Sequence, residues 1–210
     1  MDKEVILLEK LNSIINIDLH IHSYLSEYKE SVDYVKNSNI NNIGTLLSKL
    51  QKENINMFAI TDHNRFSFEL YSKIRTAIED KEKYPNIKKI LPGIEFDVLL
   101  EDGLESCHII CIFDDKNDND LQNIENVLLK NGLLHDKNDY YTRDTFEKIL
   151  KEIGLDIILI AHQHKHFNQK DGGKRSLSNS VSDIYQFIKT GYVNALEYQK
   201  PAVQGMIINS

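Results

Sequence analysis

MFAITDHN, residues 57–64, is an apolar run that turns polar at its end. MFAIT, 57–61, reads as a strand buried on both faces, as in a parallel sheet. Ending such a strand in Asp62 and His63 is unfavourable unless something binds them, because a buried carboxylate without a partner is costly. The same four residues, Thr61 to Asn64, also fit a turn in which Asp and Asn bond to the backbone. Read singly, the two alternatives stand level.

Outward from this stretch the punctuation repeats. INIDLHIHS, about 16–24, alternates like a strand and ends in His20 and His22. KKILPGIEFDVLL, 88–100, is strand-like with a bend at Pro92-Gly93 and carries Glu95. The turn at 101–103 leads to CHIICIF, 107–113, which forms an antiparallel hairpin with it and opens on His108. IILIA, 157–161, is another buried strand and is followed by His162 and His164. Helices are expected over 2–12, 43–53, 66–82, 119–131 and 143–153, the last led by Thr142 and stopped by Gly154, and over SVSDIYQFIKTG near 180–191. Short strands at 194–199 and 205–209 close the chain. Strand–helix–strand alternation with mainly parallel pairing gives an α/β class and a plausible closed barrel, with the carboxyl ends of the strands meeting at one mouth.

Composition narrows the function classes. With 210 residues and 41% hydrophobic content, one domain with one core is the economical reading. Lys+Arg 25 against Asp+Glu 32 leaves a net charge of -7, so the chain as a whole is no polycation for nucleic acid, and a phosphate ligand must meet a local positive site. No apolar run approaches the ~18–20 residues of a membrane span, and the N-terminus is unlike a secretory signal, so no membrane partner and a cytoplasmic location are expected. Cys107 and Cys111, four apart in a strand, are too far separated for a disulfide.

Each histidine alone has an ordinary explanation. His20 and His22 fit two solvated loop residues, His108 a satisfied core imidazole, and AHQHKH at 161–166 a solvated loop. Jointly they do not. Six of the 8 histidines stand at or next to strand ends together with Asp62 and Glu95, leaving His135 and His166 apart. In His20-Ile21-His22, a spacing of two puts both rings on one face of a strand, and Asp18 is placed to accept an imidazole N–H. Mixed imidazole and carboxylate ligands suit zinc, manganese or iron, and this many suggest more than one ion and hydrolytic chemistry. The loop 162–176 adds Lys165, Lys170, Lys174 and Arg175, a local basic stretch for a phosphate backbone or simply a solvated loop.

DLHIHS, AITDHN, PGIEFD, CHII and IAHQH, in this order, resemble the successive motifs of the PHP (polymerase and histidinol phosphatase) domain family over almost the whole chain. The resemblance implies a distorted (β/α)7 barrel with up to three divalent ions at its mouth and hydrolysis of phosphate esters. It implies metal-ligand roles for His20, His22, His63, Glu95, His108 and His162, with Asp62 a ligand or a partner of the ligating imidazoles. Asp62 and His162 are the catalytic candidates, and the carboxylate or histidine that many members carry after H-x-H falls at Glu27.

The family ends its site with Asp-x-His, and this sequence stops at GMIINS. The expectation is a single PHP-like domain over 1–210, either cut just before its last ligand motif or lacking that metal position by nature, holding fewer ions than the full site and showing weakened activity. GIEFDVLLEDG followed by CHIICIFDD resembles the N-terminal PHP domain of proteins in which it is joined to an ATPase domain, which implies a nucleic-acid or nucleotide substrate. The competing expectation is a PHP module of structural or regulatory use in a larger ATPase-containing or polymerase-type protein.

Overall fold

A computed structural model describes residues 15–30, 33–99, 106–161 and 195–196. Among these residues seven strands form one mixed sheet: β1 (Ile17–Ile21), β2 (Met57–Ile60), β3 (Lys89–Leu99), β4 (Ser106–Phe113), β5 (Tyr141–Thr142), β6 (Ile157–Ala161) and β7 (Ala195–Leu196). Four main helices accompany it: α1 (Ile43–Lys52), α2 (Phe68–Ala77), α3 (Asp118–Asn131) and α4 (Arg143–Ile153). Their ends follow local chemistry. Ser67, Asn117 and Thr142 each accept a backbone N–H of the first turn, and Gly154 ends α4 at φ 69°, a left-handed conformation that glycine adopts without strain.

The strand order is β1-β2-β3-β4-β6-β7, with β5 beside β3. β1, β2 and β3 run parallel, whereas β4 is antiparallel to both β3 and β6. The result is a mixed α/β fold. The expected closed (β/α)7 barrel is not closed among the described residues, and pairing is mainly parallel as expected, with β4 alone running against the other strands. β4, turned round after β3 as the hairpin reading expects, takes β6 as its second neighbour, so both of its pairings are antiparallel while β6 keeps the direction of β1, β2 and β3. The helices expected at 2–12 and 180–191 and the strand at 205–209 lie outside the described residues. No helix among the described residues is long and apolar enough to cross a membrane.

The two faces of the sheet differ. Ile94, Phe96, Val98, Ile109, Cys111 and Phe113 pack with the helices into the main core. Alternation sends Gly93, Glu95 and Asp97 to the opposite face, where Ala59, Ile110, Ile112 and Ile160, with Leu19 and Leu91, form a second, smaller cluster. This inner cluster is the floor on which the polar groups of the next section stand. The Cys111 thiol is free and buried on the helix-covered face, and β4 is extended through positions 107 and 111.

Gly93 is the tight point of the floor. A Cβ there would lie 2.7 Å from Thr61 Cγ2 and 3.0 Å from Ile112 Cδ1. Gly93→Ala should destabilise the fold by ~1–3 kcal/mol in urea unfolding, as overpacking does elsewhere. Wild-type stability for that variant would show that the floor has room.

Candidate metal centre

β1 does not run straight into its histidines. Asp18 pairs with Phe58 but Ile21 pairs with Ile60, so one extra residue is inserted on β1, a bulge. Leu19 and His20 consequently face the same side: Leu19 packs on the inner cluster, and His20 Nε2 reaches Glu95 Oε2 at 3.2 Å. Asp18 accepts the backbone N–H of His20 at 3.2 Å and so holds the bulge, while the His22 ring meets Ser26. His22 Nε2 lies 2.9 Å from His20 Nε2 and also 3.2 Å from Glu95 Oε2.

Glu95 is 1% exposed and sits at the centre. Its neighbour across the parallel register is His63, whose Nδ1 is 3.5 Å from Oε2. Its diagonal neighbour on β4 is His108, whose Nδ1 contacts Oε1 at 2.6 Å. His108 stands opposite Asp97 in the antiparallel register, and its Nε2 is 3.1 Å from Asp97 Oδ1. Four imidazoles therefore face one buried carboxylate.

The turn after β2 is fixed by its own polar side chains. Asp62, 2% exposed, accepts from the Ser23 backbone N–H at 2.6 Å, the Ser23 hydroxyl at 2.5 Å and the Ser26 hydroxyl at 2.7 Å. Burial raises its carboxyl above the usual range, and these donors oppose the rise. Ser26 Oγ, having given its proton to Asp62, accepts the His63 backbone N–H at 3.0 Å and faces His22 Nδ1 at 3.0 Å. His22 thus carries its proton on Nδ1 and presents the Nε2 lone pair to the cluster. Asn64, at φ 51°, donates to Asp97 Oδ2 at 2.6 Å and accepts the Asp97 N–H at 2.8 Å. The turn reading and the binding reading of TDHN both hold: the turn's hydrogen bonds are what aim His63.

The electrostatics call for positive charge at this point. Burial alone would raise Glu95, but His108 and His63 hold it well below the usual carboxylate range. Asp97 is likewise opposed by burial and held down to about 2 by His63, His108 and Lys29. Burial would depress His63, yet Glu95, Asp97 and Glu30 push it up to about 10. Protons on the rings or a divalent cation can supply that charge.

The spacing fits a cation. Two ligands of a tetrahedral ion with bonds of ~2.0–2.2 Å stand ~3.3–3.6 Å apart. The pairs His20–Glu95 and His22–Glu95 at 3.2 Å and His63–Glu30 at 3.3 Å lie at or near that separation. Among the described residues three sets of donors overlap, His20/His22/Glu95, His22/Glu30/His63 and His63/Glu95/His108, each with its atoms within 4.8 Å of one another. Imidazole nitrogen with carboxylate oxygen is a donor set for zinc, manganese or iron.

Of the residues singled out in the sequence, the fold brings His20, His22, His63, Glu95 and His108 together. Asp62 meets the rings through Ser26 rather than directly. Glu27 is exposed and stays outside the cluster. Glu30 stands there instead, its Oε1 3.3 Å from His63 Nε2, because the 3-10 turn Tyr24–Ser26 carries the chain past Glu27 before it returns to the site. His162 lies outside the described residues. Ser26, Glu30, Asp97 and Lys29 are additions the sequence reading passed over. Asp97 was within reach, since a residue two along a strand from Glu95 shares its face.

No family model matches the sequence, and no curated protein matches it. Solved structures do. A Bifidobacterium adolescentis protein named, by assignment, a metal-dependent phosphoesterase superposes with a TM-score of 0.57 over 94% of this chain and 83% of its own, at 14% identity. An amidohydrolase from Chromobacterium violaceum, crystallised with sulfate and no metal, gives a TM-score of 0.40 over 86% of this chain and 76% of its own, at 13% identity, too low to bear on the argument. The chain shares its fold with the Bifidobacterium protein.

Ser26→Ala removes the hydroxyl that joins Asp62, His22 and the His63 backbone. It should destabilise the chain by ~1–3 kcal/mol in urea unfolding, because Asp62 and the His63 N–H lose a partner in a buried place. His135→Ala, at an exposed position outside the site, should leave stability unchanged. Equal stability of Ser26→Ala and wild type would mean that the Asp62 network does not hold the turn.

Proposed function

We propose that this chain is a metal-dependent phosphoesterase of the PHP type, acting on a phosphodiester or phosphomonoester of nucleic acid or nucleotides. The observation that carries the reading is Glu95, a carboxylate 1% exposed and faced by His20, His22, His63 and His108. The five motifs in order support it, as does the shared fold with a protein named for that activity. His20, His22, Glu30, His63, Glu95 and His108 would hold zinc, manganese or iron, with His162 after β6 a further ligand by the family resemblance. Such ions supply a hydroxide at neutral pH and offset charge on the phosphoryl and leaving oxygens.

The chain's own groups do the rest. Glu95 shares its carboxylate between the two sets that contain His20 and His108, so those sets are held at fixed separation by a strand rather than by a loop. Asp62 and Ser26 fix the His22 tautomer and the entry of His63. A cavity of about 270 Å³ borders His22, walled by Ile21, Tyr24, Ile43 and Leu46 with Asn39 and Lys49 among its polar groups. Such a wall suits the organic part of an ester better than bare phosphate. GIEFDVLLEDG and CHIICIFDD, which resemble PHP domains joined to an ATPase, make an ATPase domain a candidate partner.

The test is metal content and turnover with manganese on bis(p-nitrophenyl) phosphate, a nucleotide monoester and single-stranded DNA. Wild type should retain metal after desalting and hydrolyse at least one of them. Glu95→Gln should lose metal and lower kcat/KM by ~100-fold or more, since the carboxylate serves more than one donor set. Full metal occupancy with no turnover on any of the three would contradict the proposal and favour a structural or regulatory module.

A further inference from the structure

Lys29 and Asp97 form a buried ion pair that belongs to none of the three donor sets. The side chains are 4% and 0% exposed, and Lys29 Nζ lies 2.8 Å from Asp97 Oδ2. The ammonium also donates to the Asp139 carbonyl oxygen at 3.0 Å and sits 4.6 Å from the centroid of the Tyr140 ring. A purely structural pair buried this deeply is replaceable by apolar side chains of similar volume, often without loss. The rest of Asp97's surroundings sets this pair apart.

Both oxygens of Asp97 face imidazoles of the cluster. Oδ1 is 3.1 Å from His108 Nε2, and Oδ2 is 3.2 Å from His63 Nδ1, contacts at charge-pair distance though not in aligned hydrogen-bond geometry. On their far sides the same rings meet other carboxylates, His108 Nδ1 with Glu95 Oε1 at 2.6 Å and His63 Nε2 with Glu30 Oε1 at 3.3 Å. Each ring therefore spans from Asp97 to a member of a donor set. Both nitrogens of each ring thus face a carboxylate, and a metal ion ligated by Glu95 or Glu30 would need the lone pair on its own side, which leaves the ring proton on the nitrogen turned to Asp97, a group that as a carboxylate only accepts.

We propose that Asp97, held in place by Lys29 and Asn64, is the positioning carboxylate that fixes the tautomers of His63 and His108, so that His63 offers Nε2 and His108 offers Nδ1 to a metal ion. The inference rests on the reading of the cluster as a metal site. Asn64 grips Asp97 through both its carboxylate and its backbone N–H, which sets the height of the carboxylate on β3. Lys29 supplies the counter-charge that lets an ionised Asp97 stand beside Glu95 without displacing positive charge from the donor sets.

The experiment is a titration of the metal-free chain with Co2+, read by its visible d–d absorption, alongside unfolding of the same metal-free samples. The variants are Asp97→Asn, Lys29→Met and Lys29→Arg. Asp97→Asn can turn an amide N–H2 towards a ring that needs an acceptor. It should weaken Co2+ binding ~10–100-fold, the range found for outer-shell partners, and change the shape of the d–d bands. Lys29→Met should weaken binding in the same direction, and Lys29→Arg should restore part of it by keeping the charge. Folded Asp97→Asn with wild-type affinity and an unchanged spectrum overturns the inference. So does loss of fold in both Asp97→Asn and Lys29→Met, which would make the pair a structural tie. Absence of Co2+ binding by wild type overturns the metal reading itself, and this inference with it.

Discussion

A carboxylate buried in the middle of a sheet cannot remain ionised unless positive charge is brought to it, and Glu95 is such a carboxylate. The surrounding structure follows from that requirement. His63 reaches it from the end of β2, His108 from the neighbouring antiparallel strand, His20 from within the bulge of β1 and His22 from just beyond it. Remove the demand and the chain would have no reason to place four imidazoles against one strand. The same demand explains why the inner cluster of apolar side chains is small. It is a floor for a polar site rather than a second core.

Precision here comes from side chains that never touch the cluster's centre. Asp18 holds the bulge that turns His20 inward, Ser26 takes the His22 ring and the His63 backbone, and Asn64 adopts a left-handed backbone to tie β2's turn to β3. Each of these groups is short and polar; Ser26 and Asn64 have two or more partners among the described residues, and Asp18 sits at the bulge it holds. A site on strand ends gains its rigidity in this way, from second partners that leave each ring one orientation.

Much of this was legible before any coordinates. Helix α4 falls on the expected 143–153 because Thr142 and Gly154 are strong local signals, and β2 and β6 are short apolar runs with clear ends. The convergence of His20, His22, His63, Glu95 and His108 was readable from their common position at strand ends. Strand order was not, since nothing in an apolar run such as IILIA says which strand it will lie beside, and so the placing of β6 next to β4 is not readable from it. The choice of Glu30 over Glu27 depends on a short 3-10 turn with no periodicity to betray it. Two-residue strands such as β5 carry no pattern at all.

The central claim is that the cluster around Glu95 holds divalent metal through imidazole and carboxylate donors. Anomalous diffraction from crystals grown with zinc or manganese tests it most directly. The account predicts peaks bonded at ~2.0–2.2 Å to atoms of the sets that share Glu95, His22 and His63. Anomalous density confined to surface carboxylates, with the four rings around Glu95 free of metal, would contradict it.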